Sequence, residues 1–98
     1  MSPENYFETL PSNLGVIIHT SIIRDNRPIL VVAHDTDGEW SFMDGGVVLS
    51  TNLSMVALRE ILELDPSLQE LGTLPRGHYA ERTDRHTPWS IQALDDLE

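Results

Sequence analysis

The chain contains no cysteine, which rules out disulfide bonds, thiolate chemistry and zinc sites built on cysteine. It contains no lysine either: six arginines face 16 aspartates and glutamates, and the formal net charge is −10. General binding to a phosphate backbone requires a basic surface, so the composition argues against nucleic acid as a partner. The same charge favours a protein partner with a basic surface, because long-range attraction speeds encounter.

Long apolar runs are missing as well. The longest uninterrupted one extends from Ile29 to Ala33, far below the roughly 20 residues that span a bilayer. The first residues carry neither the basic nor the apolar segment of a secretion signal, which predicts a cytoplasmic protein without a membrane partner. With 98 residues, of which 40% are hydrophobic, we expect a single domain over 1–98 with a compact core over 15–90.

Two strands are predicted in the first third of the chain. Gly15–Ile23 and Ile29–Asp35 are rich in β-branched residues, which suit a pleated surface. The link between them is short and polar, and this predicts an antiparallel hairpin.

A second hairpin is predicted around Asp37-Gly38, a dipeptide typical of a type I′ turn. It leads into a strand from Glu39 to Asp44, in which Trp40 and Phe42 share one face. We expect those two rings to point inward.

The second half of the chain is predicted to be mainly helical. Met55, Leu58, Ile61 and Leu62 form an apolar stripe at helical spacing, and Asp65-Pro66 is typical of a second helix start. Together they predict a helical segment over Ser54–Leu71. Val47–Leu49 fits either a fourth short strand or an apolar lead-in to that segment.

The ends complete the predicted fold. Ser2-Pro3-Glu4 can start a short N-terminal helix, His78–Thr83 is predicted to be the last strand, and Ile91–Leu97 a short acidic helix or a frayed tail. The predicted class is α+β: an antiparallel sheet of about four strands with the helical segment packed on one face.

Four histidines and carboxylates are candidates for a metal site. His19 and His34 lie in neighbouring predicted strands, and Asp35 or Asp44 could complete a ligand set. Their spacing matches no metal motif, so these residues are weak candidates and no cofactor is expected. The segment Asp35–Glu39 superficially resembles a calcium loop, but its glycine comes too early and a hairpin turn explains it better.

The sequence carries no Gly-x-Ser-x-Gly, phosphate-loop or dinucleotide fingerprint, so we predict no catalytic residues and no enzymatic activity. The candidate binding residues are Trp40, Phe42, Asp44, Arg82 and Trp89. The aromatic ones are expected mainly in the core, and any that is exposed would be an anchor for a partner. Arg82 could stack on Trp89 or pair with a carboxylate.

Four segments carry a family resemblance: Glu39–Phe42, Leu62–Leu71, Leu74–Arg82 and Pro88-Trp89. Together they resemble a group of small bacterial proteins of unknown function, with a Trp-x-Phe strand and a Leu-Pro-x-Gly turn. Part of the wider group has been linked to immunity proteins that neutralise toxins in bacterial competition. The resemblance covers roughly residues 15 to 90, and its motifs are structural rather than catalytic.

The leading hypothesis is therefore a non-enzymatic, immunity-like protein-binding module that meets a basic partner. One alternative is a small-molecule or metal-binding domain with its site near His34, Asp35 and Asp44. Another is a homodimer that associates through an unpaired sheet edge or an apolar face.

Overall fold

A six-stranded sheet carries the fold. The computed structural model describes residues 5–94 of the chain. The strands are β1 (Gly15–His19), β2 (Val31–His34), β3 (Trp40–Met43), β4 (Leu53–Ala57), β5 (His78–Glu81) and β6 (Ser90–Ala93). The α-helices are α1 (Tyr6–Thr9), α2 (Thr20–Arg24) and α3 (Leu58–Leu64), and 3-10 helices span Ser50–Asn52 and Pro66–Thr73.

The sheet is mixed. Its strand order is β4-β1-β3-β2-β5-β6. β1 runs parallel to β3, and the other neighbouring strands are antiparallel. The α+β class is thus confirmed, but the prediction of about four antiparallel strands is wrong. The predicted hairpin between the first two strands is also wrong, because β3 lies between β1 and β2.

The cause lies in the second half of the predicted strand Gly15–Ile23, which folds as α2. The side chain of His19 starts this helix, because its Nδ1 accepts from the Ser21 N–H at 3.2 Å. The capped turn redirects the chain and leaves no tight hairpin between β1 and β2. Ile22 is then buried in the core while Ile23 is 54% exposed, so tertiary packing overrides the β-branched preference.

The second predicted hairpin is present between β2 and β3, but its turn differs from the predicted type. The Gly38 N–H donates to Asp35 O at 2.9 Å, and the Asp35 N–H donates to Glu39 O at 2.9 Å. Gly38 has φ 93°, whereas Asn26 is the only non-glycine residue with positive φ in the described part of the chain. A type I′ turn needs positive φ at both central positions, so this is a longer turn that ends in a glycine bulge.

The core forms on one face of the sheet. Trp40 is 1% exposed and Phe42 0%, which confirms that both rings point inward. One cross-strand row of this face contains Ile18, Phe42, Val32 and Ala80. The helices contribute the facing layer of the same hydrophobic cluster with Leu58, Ile61, Leu68 and Leu71.

The predicted helical segment Ser54–Leu71 begins as a strand. Its first residues belong to β4, which pairs with β1 along its whole length. Met55 is consequently 68% exposed, although it was assigned to the buried stripe. The helix itself starts at Leu58 after Ala57, which makes no capping hydrogen bond through its side chain.

The second helix start is confirmed. Asp65 caps it by accepting the Ser67 N–H at 3.0 Å, and Pro66 occupies the first position. The helix is of the 3-10 type and continues through the buried Gly72, where it was predicted to stop, as far as Thr73.

The ends differ from prediction in part. The N-terminal helix is present as α1, with Asn5 accepting the Phe7 N–H at 2.9 Å as its cap; its predicted start at Ser2–Glu4 lies outside the described residues. The strand predicted at His78–Thr83 ends at Glu81 and is not the last one. β6 occupies the start of the predicted acidic tail, and residues 95–97 of that tail lie outside the described range. Within residues 5–94, no helix has both the length and the hydrophobicity to cross a membrane.

Candidate functional site

Two of the candidate binding residues lie in the core. Trp40 and Phe42 are buried, so neither offers surface to a partner. His34 stacks on Trp40 with ring centroids 4.0 Å apart, and its Nδ1 donates to the carbonyl of Leu74 at 2.8 Å. Burial holds the pKa of His34 below its usual value, and the charge of Arg76 acts in the same direction. These contacts describe a neutral core imidazole rather than a metal ligand.

Asp44, in contrast, is the centre of a polar cluster that follows β3. Its Oδ2 accepts from Ser21 Oγ at 2.6 Å, and its Oδ1 accepts from the Gly46 N–H at 2.9 Å. His19 Nδ1 lies 3.8 Å and Arg27 Nε 3.9 Å from Asp44 Oδ2. Burial alone would raise the pKa of Asp44, but the hydrogen bonds and the two basic neighbours outweigh it and lower that pKa.

The cluster has the residue types of a catalytic triad but not the geometry. In a triad the histidine stands between serine and carboxylate, with one partner on each ring nitrogen. Here Ser21 Oγ lies between His19 Nδ1, at 2.8 Å, and the carboxylate of Asp44. His19 Nε2 is 3.3 Å from the Val47 carbonyl. The cluster therefore ties the loop after β3 to the start of α2.

The two candidate metal-binding histidines point to opposite faces of the sheet. His19 follows the core-facing Ile18 and points away from the core, whereas His34 lies on the core side with Val32. Among residues 5–94, neither histidine belongs to a group of three potential metal ligands within 4.8 Å of one another. His19 does meet Asp44, but through Ser21 and with its Nδ1 already engaged.

Asp44 gives a prediction for acid stability. Since its pKa is lower in the folded chain than in the unfolded one, it stabilises the fold above its unfolded pKa of about 4. That contribution is lost as the pH falls through the folded pKa. Replacing Ser21 by alanine removes one donor, so a carboxyl ¹³C titration should place the pKa of Asp44 higher in S21A than in the native chain. Asp84, whose carboxylate accepts from the His86 N–H at 2.8 Å, is the internal control; a pKa of Asp44 unchanged by S21A would contradict the assignment.

Asp35 belongs to an acidic cluster at the tip of the β2–β3 hairpin. Carboxylate oxygens of Asp35, Asp37 and Glu39 lie within 4.8 Å of one another. Asp37 and Glu39 are exposed, and the guanidinium of Arg76 lies against the turn at Gly38. Exposed carboxylates are abundant in so acidic a chain, and no further contact at this tip points to a bound cation.

Arg82 makes the densest polar contacts in the described structure. Its side chain is 2% exposed, and its Nη2 donates to Asp65 Oδ2 at 2.8 Å. Its Nε donates to Ile29 O at 3.0 Å and its Nη1 to Ser67 Oγ at 3.0 Å. The guanidinium also stacks 4.1 Å from the centroid of Trp89. Arg82 and Trp89 thus join β5 to the second 3-10 helix; Arg82 is buried, and Trp89 is half-buried against the core.

A cavity of about 270 Å³ opens beside this network. Arg27 and Arg85 line it, and Arg82 contacts the backbone carbonyl of Arg85. Each arginine has an aspartate nearby: Asp44 for Arg27, Asp65 for Arg82 and Asp84 for Arg85. The cavity therefore lacks the excess positive charge that would draw an anion into a protein with a net charge of −10.

The strand at the opposite edge of the sheet, β4, carries no charged side chain. The two longest runs without Asp, Glu, Lys or Arg extend from Thr9 to Ile23 and from Gly45 to Leu58. They contain β1 and β4, which pair at this edge. No charged side chain therefore lies on β4 or among residues 45–52, which precede it in the loop after Asp44.

Exposed apolar side chains concentrate in the same region. Val47 is 78% exposed, Met55 68%, Leu49 55% and Ile23 54%. A shallow groove of about 430 Å³ borders them, lined by Ile18, Thr20, Ile23, Arg24, Thr51, Ser54 and Val56. The sequence does not indicate these residues as a site, because its spacing predicts Met55 within a helix. It also predicts Val47–Leu49 to be either a short strand or an apolar lead-in to that helix. The uncharged run from Gly45 to Leu58 was the signal that could have indicated them.

Comparisons with protein-family models, curated proteins and solved structures found no match to this chain. The resemblance to immunity-related proteins therefore stays a prediction.

Proposed function

We propose that this protein is a non-enzymatic protein-interaction domain that binds an extended segment of its partner along the outer edge of β4. The observation that carries the proposal is the outer edge of β4 (Leu53–Ala57), which pairs with no further strand among residues 5–94 and bears no charged side chain. Adding a strand to such an edge is a common mode of peptide recognition, in which main-chain hydrogen bonds supply the affinity.

The hydrogen-bonding phase of β4 supports this proposal. The Leu58 N–H donates to Leu14 O at 2.8 Å, and the pairing of β4 with β1 continues from there. Hydrogen bonds alternate along an antiparallel pair, so Ser54 and Val56 direct their backbone groups to β1. The N–H groups of Met55 and Ala57 and the C=O groups of Leu53 and Met55 consequently point outward, where a partner strand would lie. The C=O of Ala57, the N-cap of α3, instead faces the first turn of that helix.

The edge also lacks the usual protection. Proteins blunt exposed edges with lysines, other charges, prolines or bulges. β4 has none of these, and its pairing with β1 is continuous over five residues. β6, the other edge strand of the described sheet, is shorter, and Asp95, Asp96 and Glu98 follow it in the sequence. An added strand is therefore better accommodated at β4.

The charge of the chain still favours a basic partner, but the aromatic residues predicted to anchor that partner are buried. Glu60 and Glu63 are exposed on α3, and they would speed the approach of a positively charged protein. The anchors themselves would be Met55 and the exposed run Val47–Leu49 instead of Trp40 and Phe42. An immunity function is one form of this proposal, in which the partner is a toxin.

Site-specific cross-linking tests the proposal. A photo-reactive amino acid in place of Met55 should give a defined adduct in lysate of the native cell, whereas the same group at Leu64 should not. Leu64 is the matched control because it is also apolar and exposed but lies on α3.

The partner segment then decides the binding mode. A synthetic peptide of the cross-linked segment should bind, and its copy with N-methyl groups on alternate amides should not, because strand addition requires those N–H donors. Equal labelling at both positions, or unchanged binding of the N-methylated peptide, would contradict the proposal.

A further inference from the structure

We infer that the partner of the β4 edge is a second copy of this chain, paired antiparallel about a two-fold axis at Met55. This inference rests on the proposed function and names its occupant. The two sheets would join into one continuous sheet, with β4 of each protomer at the centre.

The edge is self-complementary in this register. β4 has five residues with Met55 in the middle, and the outward-directed residues Leu53, Met55 and Ala57 are symmetric about it. With Met55 opposite Met55 of the partner, Leu53 lies opposite Ala57 in both halves. The two Met55 residues then exchange two hydrogen bonds, and each Ala57 N–H donates to the Leu53 C=O of the other copy, the symmetric pairing of an isologous interface.

The side chains leave this approach open. Leu53, Met55 and Ala57 lie on the same face of β4, and none is charged. Met55 folds back over its own sheet at Gly15, where a Cβ atom would come within 2.6 Å of Met55 Sδ. The absence of a side chain at Gly15 thus keeps the flexible Met55 side chain off the hydrogen-bonding edge.

Charge also favours this register for a second copy. Two chains with a net charge of −10 each repel one another over most of their surfaces. Contact through β4 brings together the uncharged run Gly45–Leu58 of each chain, so no carboxylate lies on either paired strand. Self-association should therefore strengthen as salt screens the remaining repulsion, whereas binding of a basic partner should weaken.

Amide hydrogen exchange of the full-length native chain tests the register. The amides of Met55 and Ala57 should exchange more slowly as the protein concentration rises from low micromolar to millimolar. The amides of Ser54 and Val56, which donate to β1, should be protected at every concentration. Raising the salt from about 50 to 500 mM should increase the protection of the outward set.

A charge at the two-fold axis supplies an independent test. In M55E the two new carboxylates would face each other, so sedimentation equilibrium should show a loss of dimer. L64E carries the same added charge on α3 and should dimerise as the native chain does. Far-UV circular dichroism checks that both variants are folded.

The possible outcomes separate this inference from the proposed function. The dimer would be overturned if the exchange rates of the outward amides did not change with the concentration of the native chain. If those amides became protected only on addition of the partner peptide identified by cross-linking, the edge would still be a binding site and only the second copy would be wrong. Dimers of M55E as strong as those of L64E would also overturn the two-fold register.

Discussion

Replacing Asp65 by alanine should lower the free energy of unfolding by about 3–5 kcal/mol, because it leaves a buried arginine without its counter-ion. The Arg82 side chain is 2% exposed, and its Nη2 donates to Asp65 Oδ2 at 2.8 Å. Its remaining partners are neutral oxygens, from Ile29 O, Ser67 Oγ and Arg85 O. Those groups satisfy hydrogen bonds but do not balance the charge.

Part of the effect comes from helix capping. Asp65 Oδ1 also accepts from the Ser67 N–H at 3.0 Å and from Ser67 Oγ at 2.6 Å. Loss of such a cap costs about 1 kcal/mol by itself. The double variant D65A/R82M separates the two contributions: it still lacks the cap, but it no longer buries an unpaired charge. We expect it to be more stable than D65A alone, since methionine can pack on Trp89 in place of the guanidinium.

The exposed pair of Arg24 and Asp25 is the matched control. Their side chains are 69% and 51% exposed, although Arg24 Nη2 lies 3.1 Å from Asp25 Oδ2. D25A should therefore change the free energy of unfolding by no more than about 0.5 kcal/mol. Urea unfolding followed by circular dichroism measures all three variants, and a D65A value as small as that of D25A would show that Arg82 is not stabilised by its counter-ion.

Local signals in the sequence were sufficient where one segment decides its own structure. Asp65-Pro66 starts a helix because the carboxylate and the missing N–H act within one turn. Trp40 and Phe42 alternate along a short strand next to a well-marked turn, so their common face followed from spacing alone. These elements were predicted correctly because they depend on no distant partner.

The sheet order could not be predicted in the same way. It depends on His19, whose ring caps α2 and so prevents the expected hairpin. It also depends on β3 pairing in parallel with β1, a contact between segments separated by α2 and β2. Local patterns in one sequence do not indicate which distant strands pair, because tertiary contacts decide strand pairing.

The same limit applied to the candidate site. Met55 fits the spacing of a helical stripe, and only the pairing of β4 with β1 turns it outward. Because Met55 lies on an edge strand, the uncharged run around it contributes exposed surface and not only buried core. Arg82 was predicted to stack on Trp89 or to pair with a carboxylate, and it does both, 4.1 Å from the Trp89 centroid and 2.8 Å from Asp65 Oδ2.

The second large effect is expected at Trp40. W40A should lower the free energy of unfolding by about 3–5 kcal/mol, the usual cost of removing a buried aromatic ring and leaving a cavity. Trp40 is 1% exposed and contacts Phe7 and Phe42 as well as His34, with ring centroids 4.8, 6.4 and 4.0 Å away. The side chain thus joins α1 to two strands of the sheet.

W40F is the matched control. The Trp40 Nε1–H is buried and has no hydrogen-bond partner among the described residues, so a phenylalanine gives up no hydrogen bond. It also keeps a ring for His34 to stack on. We therefore expect W40F to be clearly less destabilised than W40A, and thermal unfolding by circular dichroism compares the two. Equal losses would mean that the indole Nε1–H has a partner that W40F removes.

His34 supplies a second readout of the same cavity. Burial is the main reason that the pKa of His34 is low, and Trp40 forms one wall of its surroundings. Water that enters the space left in W40A should raise the pKa of His34 towards about 6.5, its value in the open chain. The pKa of His34 is lower in the folded chain than in the unfolded chain. His34 therefore contributes stability above its unfolded pKa of about 6.5, and this contribution is lost as the pH falls through the folded pKa. An imidazole NMR titration of W40A under conditions where it remains folded should therefore show a higher pKa than W40F. Identical titration curves would mean that the core closes over His34 without Trp40.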